Sequence, residues 1–216
     1  QYATPQHIVI STVEHAAVSE PVRILEQQGW RVTRLPVDRL GRVDPGDLKA
    51  ALASNASNTV LVSVIYGQSE VGTIQPIEAL GQIARAHGVL FHTDAVQVAG
   101  RLPIDLQTLP VDLLSISSHK LYGPQGAGAL YRRSGVELVP LQAGGGQEFG
   151  YRSGTQALPS IAGFGLAAEL AERDMSLELS RLSQLRDSLF DQLAEIEALA
   201  VTGDRWCRLP HHASFY

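Results

Sequence analysis

The chain has 216 residues, 44% of them hydrophobic and 18% charged, with a net charge of −5. That fits one globular domain, or one domain with a piece of a second, and is large enough to bury a real core. No basic cluster suits nucleic acid or an anionic membrane, no apolar run approaches the ~20 residues of a membrane span, and no signal-peptide pattern is present. Cys207 is the only cysteine. No internal disulfide can form, which is compatible with the expected cytoplasmic location.

In chain order, Ile8 to Ile10 reads as a short buried strand. Glu14 to Gln28 reads as a helix, with Val18, Val22 and Leu25 at helical spacing and Gly29 just past its end. Trp30 to Val37 alternates like a strand. Asp44 and Pro45 open a second helix as N-cap and first-turn residue, with Leu48 and Leu52 on its apolar face. Val60 to Ile65 is a β-branched run of the kind buried on both faces. Ile77 to His87 is a helix stopped by Gly88, and Val89 to His92 is the next buried strand. Val111 to Ile116 and Gly128 to Tyr131 are two more strands. From Ser160 to Leu199 the pattern is helical, weakened in its first turns by Gly163 and Gly165. The start at Gln1, without Met, and a strand-like segment at Ala213 to Tyr216 are read as cuts through a larger protein.

This alternation predicts an α/β fold: a mostly parallel sheet with helices on both faces, ending in a long helix. Ligands of such sheets sit beyond the carboxyl ends of the strands. Three strand ends carry polar residues there: Tyr66 to Gly72, His92 to Gln97, and Ser117-Ser-His-Lys120 with Gly123-Pro124 and Gly126 to Gly128 following. A lysine in a partly buried cleft can act as a Schiff-base nucleophile. Alone, Lys120 reads as a surface lysine and Asp94 as a helix cap. Together they fit pyridoxal 5'-phosphate (PLP), whose pyridine nitrogen needs a carboxylate partner. Ser117, Ser118 and His119 add donors of the kind that hold phosphate.

Taken together, these segments resemble the cysteine desulfurases, in the class V group of fold-type I PLP enzymes. The matching stretches are Val13 to His15, Glu70 to Pro76, His92 to Gln97, Ser117 to Pro124, Gly144 to Glu148 and Arg152 to Thr155. Arg-Ser-Gly-Thr after the glycine triplet is similar to the nitrogen-fixation and housekeeping iron–sulfur desulfurases. The resemblance implies that Lys120 forms the Schiff base and moves protons at the substrate Cα. It implies that Asp94 pairs with the pyridinium, that Gln97 bonds the phenolic oxygen and that His15 stacks on the ring and acts in acid–base steps. Ser117 and His119 are implied to hold the phosphate, and Thr155 to reach the phosphate of the other subunit in a homodimer. L-cysteine is the implied substrate, with sulfur-acceptor or iron–sulfur scaffold proteins as partners. Residues 1–175 are expected to form part of the large domain and 176–200 a connecting helix. Residues 201–216 are expected to begin a small domain that is essentially missing.

One departure stands at Ser69, where the family usually has Asn; Gln68 or Ser69 could supply the missing contact. Cys207 does not match the family's sulfur-accepting cysteine, and its neighbours Trp206 and Leu209 suggest packing. The chain alone is therefore expected to be inactive. A related C–S or C–Se lyase, a class V aminotransferase and a noncatalytic scaffold are the competing readings.

Overall fold

The computed structural model describes residue 2, residues 4–55 and residues 58–216. Six strands form one sheet: β1 (His7–Ser11), β2 (Arg31–Leu35), β3 (Thr59–Ser63), β4 (Leu90–Asp94), β5 (Leu113–Ser117) and β6 (Gly128–Arg132). Their spatial order is β2-β1-β3-β4-β5-β6. The first five run parallel, and β6 turns back antiparallel to β5. The helices are α1 (Ala16–Gln27), α2 (Pro45–Asn55), α3 (Ile77–Ala86) and α4 (Leu158–Leu193).

Period-two alternation in β1 sorts the helices between the faces. Val9 packs in a core with Leu48 and Leu52 of α2 and with Ile77, Leu80 and Ala84 of α3. Ile8 and Ile10 point the other way and meet Val22 of α1. Two buried or half-buried histidines run polar rungs across neighbouring strands. His7 of β1 bonds Thr59 Oγ1 at 2.7 Å and Thr33 Oγ1 at 2.8 Å. His92 of β4 bonds Ser63 Oγ at 2.8 Å and Ser115 Oγ at 2.9 Å. Each imidazole has one donor and one acceptor when neutral, and hydroxyls can complement either.

Several boundaries differ from the sequence expectation for physical reasons. The first helix begins at Ala16, because His15 caps it with Nδ1 accepting from Ala17 N at 3.1 Å. Glu14 is thereby left outside the helix. The last helix is one continuous element of 36 residues, so position 175 falls inside it. Gly163 does not break it; a Cβ there would lie 2.6 Å from Pro124 Cγ, so the glycine permits a close approach. The helix stops at Leu193, short of Leu199, and the chain turns. Beyond it, Phe215 bridges Val201, and Thr73 bridges Arg208. Leu209 N donates to Gly72 O at 2.8 Å, so this last segment lies against the loop after β3. Among the described residues, no helix is long and apolar enough to cross a membrane.

The chain moves outward from β1 to β2 and then crosses to β3 on the other side. The strand order therefore reverses between β1 and β3, and the crevice at such a switch point is where open α/β sheets bind ligands.

Candidate active site

Asp94 is the last residue of β4 and is buried. Its Oδ1 accepts from Val96 N at 2.9 Å and so caps the turn that follows the strand. No described residue donates to Oδ2, which leaves an acceptor for a ring N–H. Asp94 is thus a cap and an available carboxylate at once. Gln97 is half-buried in the same turn.

Ser117 ends β5, and Ser118–Leu121 form one 3-10 turn. Three residues per turn send Ser118 and Leu121 inward and leave His119 and Lys120 exposed. The lysine is therefore not in the partly buried cleft expected from the sequence. Ser117 Oγ and His119 Nδ1 lie 2.8 Å apart. When the hydroxyl donates, Nε2–H is left free to meet an anion. Ser118 Oγ is buried without a hydrogen-bond partner among the described residues. Gly123 folds over it so closely that a Cβ would sit 2.3 Å from that oxygen. Glycine at position 123 is thus a steric requirement of the turn.

At the switch point, Glu14 Oε1 accepts from Ser11 Oγ and from Ile65 N, the latter at 2.8 Å. Its Oε2 is buried with no partner among the described residues. Burial, with a smaller push from the Asp94 charge, raises its pKa from 4.5 to about 7 against hydrogen bonding from Ser11 and Ile65. Burial lowers the His92 pKa, opposed by Asp94.

In the loop after β3, Gln68 Oε1 accepts from Glu70 N and Val71 N, both at 2.6 Å. Its carbonyl is committed to the turn. Ser69 is half-buried, and its backbone favours the charged form of His212. His212 and His211 pack as tilted rings 5.4 Å apart. Burial lowers the pKa of His211 to about 4, and burial likewise lowers that of His212; the Lys120 charge contributes to both.

Asp94, Gln97, Ser117, His119, Lys120 and His15 thus all lie at the carboxyl edge of the sheet. Thr155 is exposed in the segment before α4. The bonds preceding it run within residues 142–154: Ser153 N to Gln142 O, Gly146 N to Ser153 Oγ and Gly154 N to Gln147 Oε1. Cys207 is exposed, yet its backbone is fixed at both ends. Its N–H donates to Asp204 Oδ1 at 2.9 Å, and its C=O accepts from Ile74 N at 2.8 Å. Leu209 beside it is fully buried, whereas Trp206 is 82% exposed and does not provide the expected packing. Sequence reasoning missed Glu14, His211 and His212. Glu14 carried a signal, a polar residue just beyond a buried strand; the two histidines carried none, since tertiary docking brings them in.

A parallel sheet with a buried aspartate and a Ser-Ser-His-Lys turn at adjacent strand ends defines a class of cofactor-dependent enzyme fold. Residues 2–216 match the model of the aminotransferase class-V family, and the chain belongs to that family, whose members are PLP enzymes. It is 47% identical over 211 residues to cysteine desulfurase IscS of Dictyoglomus turgidum (strain DSM 6724 / Z-1310), covering 97% of this chain and 53% of the relative. Among solved structures, a NifS-like protein superposes with a TM-score of 0.93 at 37% identity, covering 99% of this chain and 58% of that one. SspA in complex with cysteine superposes with a TM-score of 0.73 at 42% identity, over 76% of this chain and 47% of that one. The chain spans about half the length of the curated relatives it matches.

Proposed function

We propose that this chain is part of a PLP-dependent cysteine desulfurase, which converts L-cysteine to L-alanine and leaves the sulfur as an enzyme persulfide. The observation that supports it most is Asp94: buried at the end of β4, with one oxygen tied to the turn and the other open, beside the strand that ends in Ser117 to Lys120. The residues fit the cofactor. Bound PLP supplies an electron sink conjugated to the substrate Cα. Asp94 Oδ2 would hold the pyridine nitrogen and favour its protonated form. Ser117 and His119 offer hydroxyl and imidazole donors to a phosphate, and Gln97 offers an amide to the phenolic oxygen. His15 has Nδ1 committed to the helix cap, so its neutral ring presents Nε2–H. Lys120 would hold the cofactor through its amine and would serve as the base for the proton at the substrate Cα.

In this reading residues 1–175 belong to the cofactor-binding domain, 176–200 connect, and 201–216 open a second domain. The partners are sulfur-acceptor or iron–sulfur scaffold proteins, the location is cytoplasmic, and the active unit is a homodimer in which Thr155 serves the other subunit's phosphate. SspA, a relative solved with cysteine, supports the substrate. Cys207 is not the sulfur acceptor, because its pinned backbone denies it the mobility needed to bring a thiolate within ~3–3.5 Å of the substrate sulfur.

Borohydride reduction with PLP followed by peptide mapping tests the cofactor assignment, and the pyridoxyl label is expected on Lys120. Label on another lysine overturns it. Product analysis of the enzyme then separates a desulfurase, which yields alanine, from a β-lyase, which yields pyruvate and ammonia. If Cys207→Ser abolishes alanine formation, the exclusion of Cys207 is wrong.

A further inference from the structure

Glu14 has no part in the reaction as proposed, yet it occupies the switch point of the sheet. One carboxyl oxygen joins the end of β1, through Ser11 Oγ, to the chain just beyond β3, through Ile65 N. The other oxygen is buried and bare. An ionised carboxylate with a bare buried oxygen is poorly solvated, and a neutral acid places its proton on that oxygen at lower cost. Asp94, ending β4, supplies the one acidic charge that acts on Glu14. His15, next in sequence, caps α1, and His92 of β4 is held between Ser63 and Ser115.

We propose that Glu14 is a proton-carrying positioning residue of this site. As a neutral acid it stitches the ends of β1 and β3 together and adds no charge near Asp94. When it ionises, a second negative charge stands near Asp94. The Asp94 charge opposes that ionisation, because like charges repel. Burial places this ionisation near neutrality, at about 7. This inference rests on the reading of Asp94 as the pyridine partner, but the Glu14–Asp94 coupling does not.

The coupling is measured first without cofactor. The protein labelled with 13C at the glutamate side-chain carboxyls is titrated by NMR, with Glu14→Gln used to assign the Glu14 signal. One glutamate is expected to titrate near 7, and Asp94→Asn is expected to move that midpoint to lower pH, since a like charge is removed. A Glu14 midpoint in the ordinary carboxylate range, or one unmoved by Asp94→Asn, overturns the proposal. Should Glu14→Gln not fold, Glu14→Asp supplies the assignment by loss of the same signal.

The second arm follows the absorbance of added PLP against pH. A spectral step near 7 is expected in the wild type and is expected to be lost in Glu14→Gln. Coupling in the first arm with no such step removes the cofactor reading of Asp94 while leaving the carboxyl pair intact.

Discussion

Replacing Gly81 with alanine tests the packing that sets the ends of β4 and β5. Gly81 is buried in α3, and a Cβ built there lies 2.3 Å from Pro110 O and 2.9 Å from Pro110 Cγ. Ordinary contacts of that kind need about 3.4 Å, so α3 must move by roughly 1 Å or the Pro110 turn must open. Neither is free, because Val111 follows Pro110 directly and is fully buried, and Asp112 N donates to Phe91 O at 2.8 Å. Overpacking of this kind costs about 1–3 kcal/mol, while alanine in a helix interior gains about 1 kcal/mol over glycine. The net expectation is a loss of roughly 0–2 kcal/mol. Gly165 in α4 supplies the control, since nothing lies within 4 Å of its added Cβ. There the same substitution is expected to stabilise by about 0.5–1 kcal/mol. Urea unfolding of the two variants measures both. If Gly81→Ala proves as stable as Gly165→Ala, the close approach of α3 to Pro110 is not a constraint and the reasoning fails.

The Glu14 pKa makes stability depend on pH. It is 4.5 in the unfolded chain and raised to about 7 in the fold, so the group's stabilising effect is complete below pH 4.5. It is then lost as pH rises to about 7, a change of about 3 kcal/mol at ~1.4 kcal/mol per pH unit. Glu14→Gln is expected to remove that fall, seen as denaturation midpoints that diverge from wild type above pH 4.5. In the active enzyme Asp94→Asn is expected to lower turnover about 10²–10³-fold through lost charge stabilisation. Near-wild-type turnover would reduce Asp94 to a cap. Phe149 is 98% exposed at φ 55, in a loop that also leaves Leu141 fully exposed. If that loop serves the proposed homodimer, Phe149→Asp shifts sedimentation toward monomer while changing stability by no more than about 0.5 kcal/mol.

The strands and helices were legible because their signals are local. The β-branched run at Val60 and the Asp44-Pro45 start each encode an element within a few residues. The edges were less so, since they depend on which polar group the backbone finds. Val64 and Ile65 lie beyond the paired part of β3 but stay buried, with Val64 N donating to His92 O at 3.1 Å. A run of apolar residues cannot show where such a ladder thins. The candidate residues Asp94 and Ser117 to Lys120 stand out in the sequence because they lie at the ends of buried strands. Lys120's exposure could not, because it follows from the three-residue turn that sends Ser118 and Leu121 inward.

Glu14 shows why a residue can be visible in a motif and still have no legible role. Its neighbour His15 takes the helix cap with its own Nδ1, which frees the glutamate from the duty usual for an acid at a helix start. The freed side chain turns back to Ser11 and across to Ile65, 51 positions away in sequence. That second contact exists only because β3 lies beside β1, and β3 lies there because the strand order reverses between them. The unusual acidity of Glu14 is thus a consequence of topology: a crossing of the sheet creates the crevice, and the crevice buries the acid beside Asp94.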